Sequence, residues 1–230
     1  MSIVDKEFGE IKIRKNKLAR SVKLSVGVDG SLRASIPYYS PEFAVRRLVN
    51  GSRDEIRKML PTHNTKNSYQ DGDLIGKTHT LFLRKFSGEE IKISNEGNQI
   101  LVQIPQELAF ENPLVQSEIR KTVSKILRKQ AKAYLPRRID FLAEKYGFSF
   151  EKLRFSHTGT RWGSCSSSGT ISLNIALMNL PHHLIDYVII HELCHTRQMN
   201  HSSKFWKEVE KYCPDYKKYV QEIKQFSPSI

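Results

Sequence analysis

The sequence predicts an α+β fold, and two observations carry that expectation. Through the first hundred residues apolar and polar side chains alternate with a period of two, broken by glycine- and asparagine-containing turn signals. From about Leu114 onward the apolar residues recur mainly at helical spacing, with short extended segments between. Residues 1–105 therefore read as a β-rich region holding one helix, and residues 106–230 as a second domain of helices and a small sheet. Pro105 and Pro113 bracket the connector between them.

In chain order, Ile11 and Ile13 alternate first, then Val22, Leu24, Val26 and Val28. Asp29-Gly30 is a hairpin turn signal, and Leu32, Ala34 and Ile36 form the returning strand. Ser40-Pro41-Glu42 predicts a helix start with Ser40 as N-cap. That helix runs towards Leu60, with a weak point at Asn50-Gly51-Ser52. After a polar loop over 61–73, strands are expected from Thr78 to Phe86, around Ile91 and Ile93, and from Ile100 to Ile104. A long helix follows from Leu114 to about Gly147, bent or interrupted near Pro136. Leu153 to Thr158 and Thr170 to Asn174 read as a strand pair, with Gly159 and Gly163 in the loop between. Pro181 opens a helix that runs into a His-rich segment, and Ser202-Ser203 caps a last helix holding Phe205, Trp206, Val209 and Tyr212.

Composition excludes several classes. With 39% hydrophobic and 27% charged residues the chain can bury a core and is not a disordered tract. No stretch approaches the roughly 20 apolar residues that span a bilayer, so no membrane partner is expected. Cys165, Cys194 and Cys213 form no C-x-x-C pair, and Met1-Ser-Ile-Val-Asp-Lys-Glu has no apolar signal core. Both features set a cytoplasmic expectation. The net charge of +13 fits either an anionic partner or a well-solvated surface.

The chemistry concentrates in His191-Glu192-Leu193-Cys194-His195, an H-E-x-x-H pattern on an expected helix. Residues four apart point the same way, so both imidazoles can share one ion while Glu192 acts on a water. Chance yields this pattern in roughly two of a hundred chains of this composition. Requiring His201, six residues after His195, lowers the odds below roughly one in a thousand. On a continuous helix His201 would face away from His195, so the chain must turn between them, and Asn200 is a residue able to adopt a left-handed turn. Three neutral histidines that leave a fourth position open make a catalytic rather than a structural zinc site.

Arg161-Trp162-Gly163-Ser164-Cys165, Ile171-Ser-Leu-Asn174, Tyr187-Val188, the H-E-x-x-H segment, Asn200-His201-Ser202, Phe205-Trp206 and Pro214-Asp215-Tyr216 together resemble the YgjP-like metallopeptidase family, related to SprT-like zincins. The resemblance implies a zincin-like C-terminal core, Zn2+ on His191, His195 and His201, and Glu192 as general base. It implies a peptide or protein substrate. Some members of that family are described as nucleotide pyrophosphatases, so a phosphoanhydride remains the alternative substrate. It also implies that the strand Thr170 to Asn174 borders the cleft and pairs with an extended peptide.

Arg161 is a candidate for oxyanion stabilisation and Trp162 for lining the cleft, and stacking of the two in a packed loop is the alternative of equal weight. Asn174 is a candidate for bonding substrate backbone or for closing a turn. Lys121, Lys125, Arg128 and Lys132 recur at helical spacing and form a basic stripe suited to nucleic acid, although most such faces are merely solvated.

Overall fold

The computed structural model describes residues 2–5, 7–26, 32–59 and 68–230. The chain divides into two compact units. One comprises Met1–Asp71, Phe82–Ser94 and Leu101–Lys121, and the other Gly72–Leu81, Asn95–Ile100 and Thr122–Ile230.

In the first unit, β1 (Ser2–Asp5), β2 (Gly9–Asn16), β3 (Lys23–Val26) and β4 (Leu32–Pro37) form a sheet of order β1-β2-β4-β3. β3 pairs antiparallel with β4, Val26 opposite Leu32, as a hairpin requires. The Asp29-Gly30 turn and Val28 lie outside the described residues. β2 pairs parallel with β4, so Ile11 and Ile13 point the same way as Leu32, Ala34 and Ile36. They bury against Val45, Val49 and Ile56. Those last three residues come from α1 (Phe43–Gly51) and α2 (Arg53–Met59), one expected helix that breaks at Ser52. Ser40 does not cap it. Pro41 and Glu42 instead make the first turn through their carbonyls.

A second sheet has the order β5 (Leu74–Ile75), β6 (His79–Phe86), β8 (Gln99–Pro105), β7 (Lys92–Glu96). Helix α3 (Pro113–Tyr146) runs 34 residues and passes through Pro136 without ending, contrary to an interruption there. Buried Leu135 and Ile139 flank the proline, and the Arg138–Asp186 ion pair, 2.5 Å, holds the following turn. These contacts outweigh one missing backbone bond. The helix closes at Gly147, φ 67°, where Phe148 N–H donates to the Ala143 carbonyl at 2.8 Å. A left-handed residue is required there, which is why glycine ends this helix.

The third sheet, β9 (Lys152–Ser156), β10 (Gly163–Cys165) and β11 (Thr170–Asn174), lies in the second unit with order β10-β11-β9. β10 was not expected as a strand. It is three residues long, too short for a period of two to register, and Gly163 belongs to it rather than to a loop. β11 pairs antiparallel with β10 and parallel with β9. A 3-10 turn (Ile175–Asn179) leads to α4 (His182–His195), followed by α5 (Ser203–Tyr212) and α6 (Tyr216–Glu222). α6 was absent from the sequence reading. Among the described residues no helix is long and apolar enough to cross a membrane.

Candidate metal centre

α4 is apolar nearly all round. Leu184, Ile185, Val188, Ile189, Ile190, Leu193 and Cys194 are buried, so the helix is gripped by the core and its polar residues are held rigidly. His191 and His195 lie one turn apart near its end, with ring centroids 4.9 Å apart. The helix stops at His195, and Gln198 N–H still donates to the Cys194 carbonyl at 3.0 Å while the chain turns back. Asn200 does not supply a left-handed residue, since no described non-glycine residue has positive φ. The turn is made with ordinary backbone, and Asn200 Oδ1 accepts from Ser202 N–H at 3.3 Å. Ser202 then occupies the N-cap position of α5, without a side-chain cap bond.

The turn brings His201 to within 5.2 Å of His191 and 4.7 Å of His195, ring to ring. One nitrogen from each imidazole falls within 4.8 Å of the others. His191 Nε2 and His201 Nε2 stand 3.2 Å apart. Two nitrogens bound to one tetrahedral zinc lie about 3.3 Å apart, so this spacing fits a shared ion. His195 Nδ1 donates to the Gln198 carbonyl at 3.0 Å. That bond selects the tautomer whose Nε2 carries a free lone pair, and orients it. Burial, with the neighbouring His195 and His201, drives His191 down to about 3, so it stays neutral. His195 is likewise held low, first by burial. A set of neutral imidazoles is the donor chemistry a divalent metal needs.

Sequence reasoning missed the wall of this site. Phe205 is fully buried on α5 and touches all three imidazoles, stacking on His195 at 4.4 Å and 24° and meeting His191 and His201 edge-on at 4.9 Å. Its position four residues after His201 on a new helix was the available signal.

Glu192 lies between the two α4 histidines in sequence and is 5% exposed, with Oε2 lacking any hydrogen-bond partner. Burial pushes its carboxyl up to about 8, partly offset by the charge of Arg161. β10 passes directly over it. A Cβ on residue 163 would stand 2.6 Å from Glu192 Oε1, so any larger residue would force the Glu192 side chain to move. Gly163 is thus a part of the site.

The three expected substrate-contact residues separate in the structure. Arg161 is exposed and within electrostatic reach of Glu192, and Trp162 is half-buried beside it. Asn174 takes the second of its two expected roles, closing a turn. It is fully buried, and its Nδ2 donates to the carbonyls of Thr158, Arg161 and Pro228 at 2.7, 3.0 and 3.2 Å. Its Oδ1 accepts from Ala176 N–H at 3.0 Å. Asn174 thus closes the turn and fixes the 158–161 loop. β11 is a correction. It lies between β10 and β9, hydrogen-bonded on both sides, and has no free edge for a peptide.

A family model described as "YgjP-like, metallopeptidase domain" matches residues 20–226. The chain belongs to the YgjP-like metallopeptidase family. Membership implies a metal ion, and the histidine cluster is where the described residues can hold one. Two solved structures resemble part of this YgjP-like chain. One is the metallopeptidase zymogen abylysin of Pyrococcus abyssi, with 28% identity over 40% of this chain and 93% of that one and a TM-score of 0.36. The other is the zymogen jannalysin of Methanocaldococcus jannaschii, with 22% identity over 38% and 95% and a TM-score of 0.33. No curated protein matches the chain.

Proposed function

We propose that the chain is a zinc-dependent peptidase with Zn2+ on His191, His195 and His201 and with Glu192 as general base. The observation that carries this reading is the convergence of three imidazoles, with His191 and His195 held neutral by burial, beside a buried carboxyl. When bound, such an ion supplies Lewis acidity towards a carbonyl and makes a water acidic near neutral pH. Glu192 takes the proton from that water and returns it to the departing amine. Its unpartnered Oε2 is the atom placed for this work. A cation held by the imidazoles would bring the Glu192 carboxyl back down from about 8, leaving it ionised and able to act as a base. Arg161, exposed near Glu192, is placed to stabilise negative charge developing on a substrate oxygen, and Trp162 to bound the cleft.

The strand that presents main chain to an extended peptide is, on this reading, β10. It ends its sheet, leaving one edge free among the described residues, and it runs over Glu192. Pairing by backbone would make cleavage tolerant of substrate side chains. The three free cysteines suit a reducing compartment, which supports a cytoplasmic setting.

Arg161 also leaves room for a nucleotide phosphoanhydride as the substrate, since an exposed cation beside the base favours an anionic reactant. One experiment separates the readings. Zinc-loaded protein is offered a denatured-proteome peptide library and, in parallel, nucleoside triphosphates. Peptide cleavage that disappears in Glu192→Gln supports the peptidase. Triphosphate turnover without peptide cleavage replaces it with the pyrophosphatase.

A further inference from the structure

Helix α3 carries a face that the proposed hydrolytic site does not use. Within the second unit it exposes Lys125, Arg128, Lys129 and Lys132, while Val123, Ile126, Leu127 and Ala131 of the same stretch are buried. On a helix the four cations span an arc of about 100° and roughly 10 Å of axis. The structure alters the expected stripe in two ways. Lys121 is paired with Glu118 at 2.6 Å, and Lys129 joins the row.

The row is not neutralised from within. No acid occurs in the sequence between Glu118 and Asp140. The ion pairs of α3 fall at its ends, Lys121–Glu118 and Arg138–Asp186, and among the described residues none of the four cations has an acid partner. The charge is felt nearby, since His79 is held below its ordinary range first by burial and then by Lys129. Four like charges on two turns of a rigid helix repel one another, and a polyanion would relieve that repulsion while releasing its own counterions.

We propose that this face binds the phosphodiester backbone of a nucleic acid. A bilayer is the poorer occupant, because the apolar side of the stretch is buried and nothing remains to insert below the headgroups. The exposed residues of the 123–132 stretch include no aromatic ring, so bases have no platform there on which to stack. Recognition is then by charge alone, indifferent to sequence and steeply dependent on salt. This inference goes beyond the hydrolytic reading and does not depend on it.

The test is fluorescence anisotropy with a labelled 20-base-pair duplex and its single strand across a salt series, using the intact protein. Four phosphate contacts contribute about −3.6 to the slope of log affinity against log salt for duplex, and about −2.8 for single strand. The variant carrying Lys125→Gln, Arg128→Gln, Lys129→Gln and Lys132→Gln should lose that part of the slope. A second variant removes equal charge from other exposed positions, through Lys207→Gln, Lys211→Gln, Lys218→Gln and Lys224→Gln, and should keep it. Should the first variant be unfolded by circular dichroism, the pair Lys125→Gln with Lys132→Gln is read instead, with about half the loss expected. Three results would each overturn the proposal: equal losses in both quadruple variants, no salt-sensitive binding by the wild-type protein near physiological ionic strength, or binding to phosphatidylserine vesicles but not to oligonucleotides.

Discussion

Glu192 and His191 are neighbours with opposite needs, and burial acts on both. In metal-free protein Glu192 titrates at about 8 against an ordinary 4.5, so between those values the folded chain holds a proton that the unfolded chain has lost. Its contribution therefore falls as pH rises through that window. His191 is lowered to about 3 from 6.5, so there the unfolded chain holds the extra proton and stability rises with pH from 3 to 6.5. The two oppose each other between 4.5 and 6.5, and above 6.5 Glu192 acts alone. Chelated protein should lose about 2 kcal/mol of stability from pH 6.5 to 8. Glu192→Gln should lose almost none of it. Urea denaturation at several pH values reads this, and an equal decline in the variant would remove Glu192 as its source. With metal restored, His201→Ala should lower zinc occupancy, whereas Glu192→Gln should keep zinc and lose at least about a hundredfold in turnover. Metal analysis beside peptide cleavage separates the two roles. Gly163→Ala places a methyl 2.6 Å from Glu192 Oε1. It should cost about 1–3 kcal/mol and displace the carboxyl, so turnover falls while zinc content holds. Unchanged turnover in that variant would mean that β10 yields easily.

α4, α5 and the loop before β10 hold the site as elements. α5 reaches the imidazoles through Phe205, whose ring contacts all three. Phe205→Ala should cost about 3–5 kcal/mol of stability and loosen the metal together with the fold. A thermal melt alongside a zinc-affinity titration would show it. Retained affinity in a destabilised protein would reduce Phe205 to packing. Asn174 acts at the same scale, tying three carbonyls of the 158–161 loop and the C-terminal segment to β11. Asn174→Ala should act through Arg161 and Trp162, raising KM more than it lowers kcat, as the loop that positions them relaxes. An unchanged KM would detach the loop from substrate binding.

At the scale of the molecule, one cluster of buried residues and the candidate ligands fall in different units. The cluster of Ile11, Ile36, Val45 and their neighbours lies in the first, and all three candidate ligands belong to the second. A ligand stabilises the part of the fold that holds it, by an amount set by its concentration relative to Kd. Removal of zinc should therefore raise amide exchange in α5 and the last turn of α4, leaving β2 and β4 as protected as before. Hydrogen exchange with and without chelator measures it. Equal loss of protection in both units would show that the metal holds the whole chain together.

The alternation of Ile11 and Ile13 and of Leu32, Ala34 and Ile36 determined β2 and β4 of the first sheet, because a period of two has one physical outcome when one face is buried, whereas β1 was not legible. Likewise His191, Glu192, His195 and His201 stood out as a constellation by spacing, since helical geometry converts four residues into one shared direction. What the residues could not reveal was whatever depends on contacts distant in sequence. β10 is too short to show a period, so only its pairing with β11 makes it a strand, and only its passage over Glu192 gives Gly163 its role. The helix through Pro136 continues because packing and an ion pair outweigh a local breaker. Asn174 became a buried anchor rather than a substrate contact because carbonyls at 158, 161 and 228, far from it along the chain, fold around its amide. Local periodicity records which face is buried, whereas the tertiary structure alone decides what each buried polar group meets there.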